Sequence, residues 1–417
     1  MNKYSLAPLG DVLEKIIGGG TPSKENGNYW SGSIPWCSVK DMKEGSYRIE
    51  ITEDSITEDG LKNSASNLIP SGTIITSTRM GLGRAFLSGV DMAINQDLKA
   101  LIPNSKIDKM FLLWSIIFQK DIIEGLGTGA TVKGIRLETL RAIKIPLPPL
   151  PTQKKIAGIL SAYDDAIENN LRRIKLLEEM AQITYEEWFV RLRFPGHKST
   201  PINEATGLPE GWNKKENGDC CEVSGGGTPS REVPEYWEDG KIKWFSPTDL
   251  SKANSLCLLD SSDKITEFGL KKSSARLMGK HTFMMTSRAT IGLFGVVDID
   301  YSTNQGFINV TPLKPDHKHF LLFNFKYRVD EFIGHASGAT FPEISKSKFK
   351  KLKIVWPSEN IISLFHQYCL PIVAEMMNLT KQNQHLREAR DILLPRLMTG
   401  VIDAEKYQPE NLLKEIA

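Results

Sequence analysis

GGGTPS stands at residues 18–23 and returns, letter for letter, at residues 225–230. Outward from that match, the two halves of the 417-residue chain keep agreeing. Tyr29-Trp30 recurs as Tyr236-Trp237. After one inserted residue, Ile34-Pro35-Trp36 returns as Ile242-Lys243-Trp244, and Asp41 is matched by Asp249. From Ile56 onward the shift is a constant 209. Ile56-Thr57-Glu58 matches Ile265-Thr266-Glu267, Arg79 matches Arg288, and Gly83 matches Gly292. Asn95-Gln96 matches Asn304-Gln305, Gly129-Ala130-Thr131 matches Gly338-Ala339-Thr340, and Lys144 and Pro148 match Lys353 and Pro357. The chain is two copies of one module. A period this long means tandem domains rather than a solenoid.

Each copy reads in two parts. The first mixes short β-like runs (Thr73-Ile74-Ile75-Thr76; Thr282-Phe283-Met284-Met285) with Gly, Asn and Ser punctuation, plus a helical stretch near residues 109–123. The second, after Pro148-Pro149 or Pro357, is a long helical pattern. The expected fold is therefore α+β with a pseudo-twofold internal repeat. It has mixed globular modules at 1–150 and 197–359, long helices at 151–196 and 360–400, and a tail at 401–417.

The long segments carry heptads. In the first, Ile156, Leu160, Tyr163, Ile167, Asn170, Ile174, Leu177, Ala181, Thr184 and Trp188 follow steps of four and three. In the second, Phe365, Cys369, Ile372, Met376, Leu379, Asn383, Leu386, Arg390, Leu393 and Leu397 do the same. Two amphipathic helices on separate cores are the alternative to a coiled coil. Parallel pairing in the repeat register sets Asn170 against Leu379 and Asn383 against Ile174, leaving two buried amides unpaired at about 1–3 kcal/mol each. An antiparallel register that faces Asn170 with Asn383 also pairs Ile156 with Leu397, Leu177 with Met376 and Trp188 with Phe365. The antiparallel pair is expected, as a rigid spacer roughly 58 Å long. Pro371 is expected to bend the second helix or to begin it.

Composition sets outer limits. Lys and Arg number 52 against 50 Asp and Glu, a net charge of +2 that neither demands nor excludes a polyanion, because patches rather than sums decide. Five cysteines without a C-x-x-C point to neither a disulfide framework nor a zinc cage. The opening MNKYSLAPLGDVLEK lacks a basic-then-apolar leader pattern, and no apolar run is long enough to span a bilayer. A cytoplasmic protein is expected.

Catalytic signatures are missing. GGGTPS lacks the lysine of a Walker A loop, and Gly125-x-Gly127-x-x-Ala130 fits a dinucleotide fingerprint that its copy breaks. No G-x-S-x-G, H-E-x-x-H or Asn-Pro-Pro-aromatic sequence occurs, and His317-x-His319 is expected to be a solvated pair. No metal site and no catalytic residue is expected; a binding or scaffolding protein is.

What the copies share suits nucleic acid. Arg79 and Arg288 follow strand-like runs in Ser/Thr-rich loops (Ser77-Thr78-Arg79; Thr286-Ser287-Arg288), where a guanidinium can fork onto guanine or phosphate. Asn95-Gln96 and Asn304-Gln305 offer amides that match adenine. Gly20, Thr21, Gly227, Thr228 and Thr248, with Thr131 and Thr340, bring backbone amides and hydroxyls suited to phosphate. Lys40, Arg84, Lys133 and Lys348 extend a basic rim. Each has a structural reading beside the functional one. The arginines can tie loops to carboxylates, Asn-Gln can satisfy strand edges, the glycines can serve turns, and Trp30, Trp36, Trp237 and Trp244 suit a core better than base stacking.

The ordered set GGGTPS, Tyr-Trp, Ile-Pro-Trp, Thr-x-Arg, Asn-Gln, Gly-Ala-Thr and Ile145-Pro-Leu-Pro-Pro-Leu-Pro-Thr-Gln153 resembles the specificity subunit of type I restriction–modification systems. Leu208-Pro-Glu-Gly-Trp212 looks like that family's entry to its second target-recognition domain, and Leu394-Pro-Arg-Leu-Met-Thr-Gly400 is similar to its C-terminal helix ending. The first copy has Leu6-Ala-Pro-Leu9 instead, which leaves its start undefined. The resemblance implies two target-recognition domains reading the halves of a split, asymmetric site in double-stranded DNA. It also implies an antiparallel coiled coil docking two methyltransferase subunits, alongside restriction/translocase subunits. S-adenosylmethionine, ATP and Mg2+ would then sit on those partners, with none bound by this chain. The competing reading is a coiled-coil adaptor with two protein-binding heads and no DNA.

Overall fold

The computed structural model describes residues 3–42, 47–129, 132–253, 255–338 and 342–407. The chain divides into two compact units, one of Met1–Asn169 with Asn383–Ala417 and the other of Asn170–Gln382.

In the first unit, Leu13–Gly18, Leu98–Pro103, Ile74–Ser77 and Ala85–Ser88 lie side by side as antiparallel neighbours, and Arg48–Ile49 adds a parallel edge. A second sheet orders Asp54–Ile56, Trp30–Cys37, Met92–Ile94 and Leu68–Ile69, and its Trp30–Cys37 and Met92–Ile94 strands are parallel. The strands of the first sheet are short and apolar at their centre, and Ile74, Ile75, Leu98, Ala100 and Leu101 are fully buried. Helix Lys109–Phe118 starts where the Asp108 carboxylate accepts the Phe111 N–H at 3.0 Å. Phe111 through Ile116 are all buried, so this helix is enclosed rather than one-sided. The helical stretch expected to reach residue 123 breaks at Gln119 and resumes as Lys120–Gly125.

The second unit repeats this plan. Cys221–Ser224, Phe307–Pro312, Phe283–Thr286 and Phe294–Val296 take the same order, and Asp263–Ile265, Ile242–Phe245 and Ser302–Thr303 form the second sheet with the same parallel step. Helix Lys318–Tyr327 matches Lys109–Phe118. Leu6–Pro8 pairs with Lys144–Pro146 in one unit, as Asn213–Glu216 pairs with Lys353–Trp356 in the other. Leu6-Ala-Pro-Leu9 therefore corresponds to the strand after Trp212. The hairpin of Ile202–Asn203 with Leu208–Pro209 is an addition to the second unit among the described residues.

The long helices are Leu150–Tyr185, extended by a π-helical turn at Glu186–Val190, and Glu359–Met398. The second runs through Pro371 and begins twelve residues before it, so the proline does not start the helix. In the second unit Trp188 meets Phe365 with ring centroids 5.7 Å apart, the Thr184 hydroxyl donates to the Tyr368 hydroxyl at 3.1 Å, and Arg173 pairs with Glu375 at 2.8 Å. Numbers fall on one helix as they rise on the other, so the pair is antiparallel, with Trp188 facing Phe365 as the heptads require. In the first unit Asp164 pairs with Arg390, one step off the same register. Ile156, Leu160, Ile167, Ile174, Met376, Leu379, Leu386, Leu393 and Leu397 are buried, and Leu177 is half-buried. Asn170 and Asn383 are buried too, one in each unit.

His317 and His319 are not solvated. Both are buried at the start of Lys318–Tyr327, because that helix packs into the core. His317 Nε2 lies 3.0 Å from Glu359, and the His319 ring stacks on His366 at 4.6 Å.

Candidate nucleic-acid interface

The GGGTPS loops are held by indoles. Trp36 Nε1 donates to the Gly20 carbonyl at 3.0 Å and Trp30 Nε1 to the Ser23 carbonyl at 3.0 Å; Trp244 and Trp237 do the same for Gly227 and Ser230, both at 2.9 Å. The two indoles of each unit pack edge to face, with centroids 5.2 and 5.1 Å apart. A Cβ on Gly19 or Gly226 would lie 2.0 Å from a strand carbonyl, that of Ile94 or Thr303, and one on Gly20 or Gly227 would strike the backbone of Ala65 or Ser274. The glycines let the loop lie flat on the second sheet. Asp41 and Asp249 also serve the frame, each accepting the N–H and hydroxyl of Ser38 or Ser246 in a capping box.

Four loops meet above this frame in each unit, with the same backbone bonds. The loop after Ile74–Ser77 is tied down by Thr78 N–H to the Asp97 carbonyl, Ile135 N–H to the Thr78 carbonyl and Met80 N–H to the Lys133 carbonyl. Ser287 to Gly306, Ile344 to Ser287 and Ala289 to Pro342 repeat these bonds. Arg79 bridges Gly134, and Arg288 bridges Glu343. The residue after each arginine, Met80 or Ala289, has φ of +53° or +59°, in the left-handed region that side chains rarely adopt. Two non-glycine residues held in that region at equivalent places show that the loop, not local preference, sets the backbone.

The clasp to the GGGTPS loop is repeated as well. The Thr21 hydroxyl donates to Gln96 Oε1 at 2.5 Å, and the Thr228 hydroxyl to Gln305 Oε1 at 2.6 Å. All four side chains are exposed. Asn95 Oδ1 accepts the Asp97 N–H at 3.1 Å and Asn304 Oδ1 the Gly306 N–H at 2.8 Å, so these amides shape their own turns. Ser77 is buried and donates to the Arg79 carbonyl, while Ser287 is buried within the same frame. Lys99, half-buried and held below the ordinary lysine value by that burial, donates from its ammonium to the Gln96 carbonyl at 2.6 Å.

The exposed candidates are fewer. Arg79 is exposed, with its guanidinium 3.5 Å from the Asp97 carboxylate. Arg288 is partly exposed. Lys40, Lys133 and Thr248 are exposed; Thr248 follows Pro247, which packs at Gly306 beside Arg288. Arg84 is turned inward and donates to the Met42 carbonyl at 3.1 Å. Lys348 is exposed on Lys346–Lys351, a short helix that follows directly on the loop of Glu343 and Ile344. Thr131 and Thr340 lie outside the described residues. Missed by inspection of sequence were Asp97, which flanks Arg79, Glu343, the backbone-bridge partner of Arg288, and Arg231, stacked on Trp237 at 3.6 Å and paired with Asp263. The first two differ between the copies, so a search for shared residues passes over them.

Residues 1–179 and 209–368 each match the family described as the type I restriction modification DNA specificity domain. The type I restriction enzyme MjaIX specificity subunit of Methanocaldococcus jannaschii is 27% identical over 97% of this chain and 94% of its own length. The HindI specificity subunit of Haemophilus influenzae is 22% identical over 82% and 89%. In fold, the chain is similar to the S subunit of a type I restriction–modification system from M. genitalium, with a TM-score of 0.57 at 17% identity over 95% of this chain and 96% of that one.

Proposed function

The chain belongs to the type I restriction–modification DNA specificity family, and from that premise we propose that each unit reads one half of a split, asymmetric site in double-stranded DNA through its four-loop cluster. It is a specificity subunit, and catalysis belongs to partner chains. We assign those partners as two methyltransferase subunits and the restriction/translocase subunits, which would carry S-adenosylmethionine, ATP and Mg2+, and we place the assembly in the cytoplasm. No helix among the described residues is long and apolar enough to cross a membrane, which fits that setting.

One observation supports the loop assignment above the others. An arginine, a left-handed residue and a Thr–Gln clasp stand at equivalent places in both units on a repeated backbone frame. Such a frame suits a guanidinium aimed at a base edge, with hydroxyls and amides nearby for phosphate. The protein-only adaptor has no support in the comparisons. Mapping N6-methyladenine in the host genome tests the proposal: deleting the chain should erase methylation at a set of split, asymmetric sites, and an unchanged map would refute it. Binding of the purified chain to its site should also weaken steeply with salt through counterion release, whereas an apolar adaptor interface would barely respond.

A further inference from the structure

Although the four loops are built alike, the carboxylate beside the arginine of the first unit has no counterpart at the same place in the second. In the first unit it comes from Asp97, which is 7% exposed; its Oδ1 is buried without a hydrogen-bond partner and lies 3.5 Å from Arg79 Nη1. Across the bridge from Arg79 stands Gly134, where a Cβ would lie 3.2 Å from Arg79 Cγ. In the second unit the equivalent of Asp97 is Gly306, and the equivalent of Gly134 is Glu343, exposed and opposite Arg288 across the same bridge. A Cβ on Gly306 would lie 3.2 Å from Arg288 Nε, so the second arginine covers the place where the first unit keeps its acid. Neither glycine has a positive φ, so backbone conformation does not demand it.

We propose that Asp97 is a positioning residue for DNA specificity: it holds Arg79 from one side, whereas Arg288 has a glycine at that place and an acid, Glu343, only across the backbone bridge, so the same arginine is aimed differently in the two units and each half-site is set partly by where the acid stands. The proposal rests on the assignment of these loops as the DNA interface. A guanidinium is a flat fork with donors on several edges. An acid that engages one edge leaves another for a base, so moving the acid turns the free edge. Asp97 is buried and so acts on Arg79 through a lower dielectric than an exposed carboxylate would.

The test transplants one arrangement onto the other. The double variant Asp97→Gly/Gly134→Glu gives the first unit the acid placement of the second. At position 134 a Cβ would press on the Arg79 Cγ at 3.2 Å, which that flexible side chain can relieve by a small shift, and would meet the Thr78 carbonyl at 3.5 Å. The full chain, assembled with its partner subunits, would select from a duplex library with both half-sites randomised. The expected result is a changed base preference at a position within one half-site, with enrichment of the native base lowered about ten-fold, an untouched second half-site, and a salt slope altered by less than about one. Asp97→Asn, which keeps the shape and removes the charge, should lose part of the same discrimination and guards against a misfolded double variant. Unchanged base preference in both variants, or a uniform loss across all sequences, would overturn the proposal. Arg79→Ala separates the two levels: if it leaves both half-site profiles intact, the loop is not in the interface, and the underlying reading fails instead.

Discussion

In the first unit the repeated arginine stands beside a buried carboxylate, whereas in the second it lies over a glycine and the acid, Glu343, stands across a backbone bridge. The long helices show a similar contrast. The part of the seam in the first unit holds a largely buried ion pair, Asp164 with Arg390, while the part in the second unit is aromatic, with Phe365 touching Tyr185, Trp188 and Phe189, and its ion pair, Arg173 with Glu375, is exposed. What the copies share is frame: the indole clamps, the capping aspartates and the Thr–Gln clasp. What they do not share borders the arginines and the seam. Duplication kept the residues that hold backbone in place and released the rest to diverge.

The largest effects should come from the seam. Burial pushes the Asp164 carboxyl up to about 6 despite its arginine partner. Arg390→Leu would leave that carboxylate uncompensated and should cost about 3–5 kcal/mol in denaturant unfolding. Replacing both, Asp164→Leu with Arg390→Leu, should recover most of the loss. A double variant no better than the single one would show that the pair is not what the seam depends on there.

Acid should distinguish the units next. Burial first, then the charges of His366 and Lys318, push the His319 imidazole down to about 3, and burial lowers His366 as well. The unfolded chain therefore binds more protons than the folded one between pH 6.5 and about 3. Stability from this pair is present above 6.5 and drains away as pH falls. The equivalent positions in the first unit are Met110 and Ala157. Hydrogen exchange at falling pH should open the second unit first, and His319→Phe should flatten its acid dependence. Equal opening of both units would count against this account.

The smallest effect belongs to the shared clasp. Thr21→Val and Thr228→Val each remove an exposed hydrogen bond and should cost at most about 1 kcal/mol in thermal unfolding. The two values should agree closely, because the clasp is the same in both units. A large difference would mean that the frames are less alike than their bonds suggest.

Much of this was legible in the sequence because duplication writes the same signal twice. The two-copy plan follows from GGGTPS and the matches around it, and the antiparallel direction follows from the asparagines, with Trp188 meeting Phe365 as expected. Trp36 and Trp244 lie in the core as their sequence context suggests, with Trp30 and Trp237 partly buried against them, and all four indoles clamp the loops. Less legible was the role of individual polar residues. Asn95 and Ser77 look free to bind on paper, yet they hold their own turns, because local side-chain bonds to backbone leave no trace in composition. His317-x-His319 looked solvated because nothing in two histidines announces a buried helix start. Asp97 and Glu343 escaped notice because one acid replaced another across a bridge that only folding brings together.

The most direct measurement is selection from randomised half-sites by the assembled protein carrying Arg79→Ala or Arg288→Ala. Each substitution should cost about 1–3 kcal/mol of discrimination, relaxing one half-site and leaving the other as it was, with the two variants affecting opposite halves. If both relax the same half-site, or if either weakens all sequences equally, the two units are not separate readers of base sequence through these arginines.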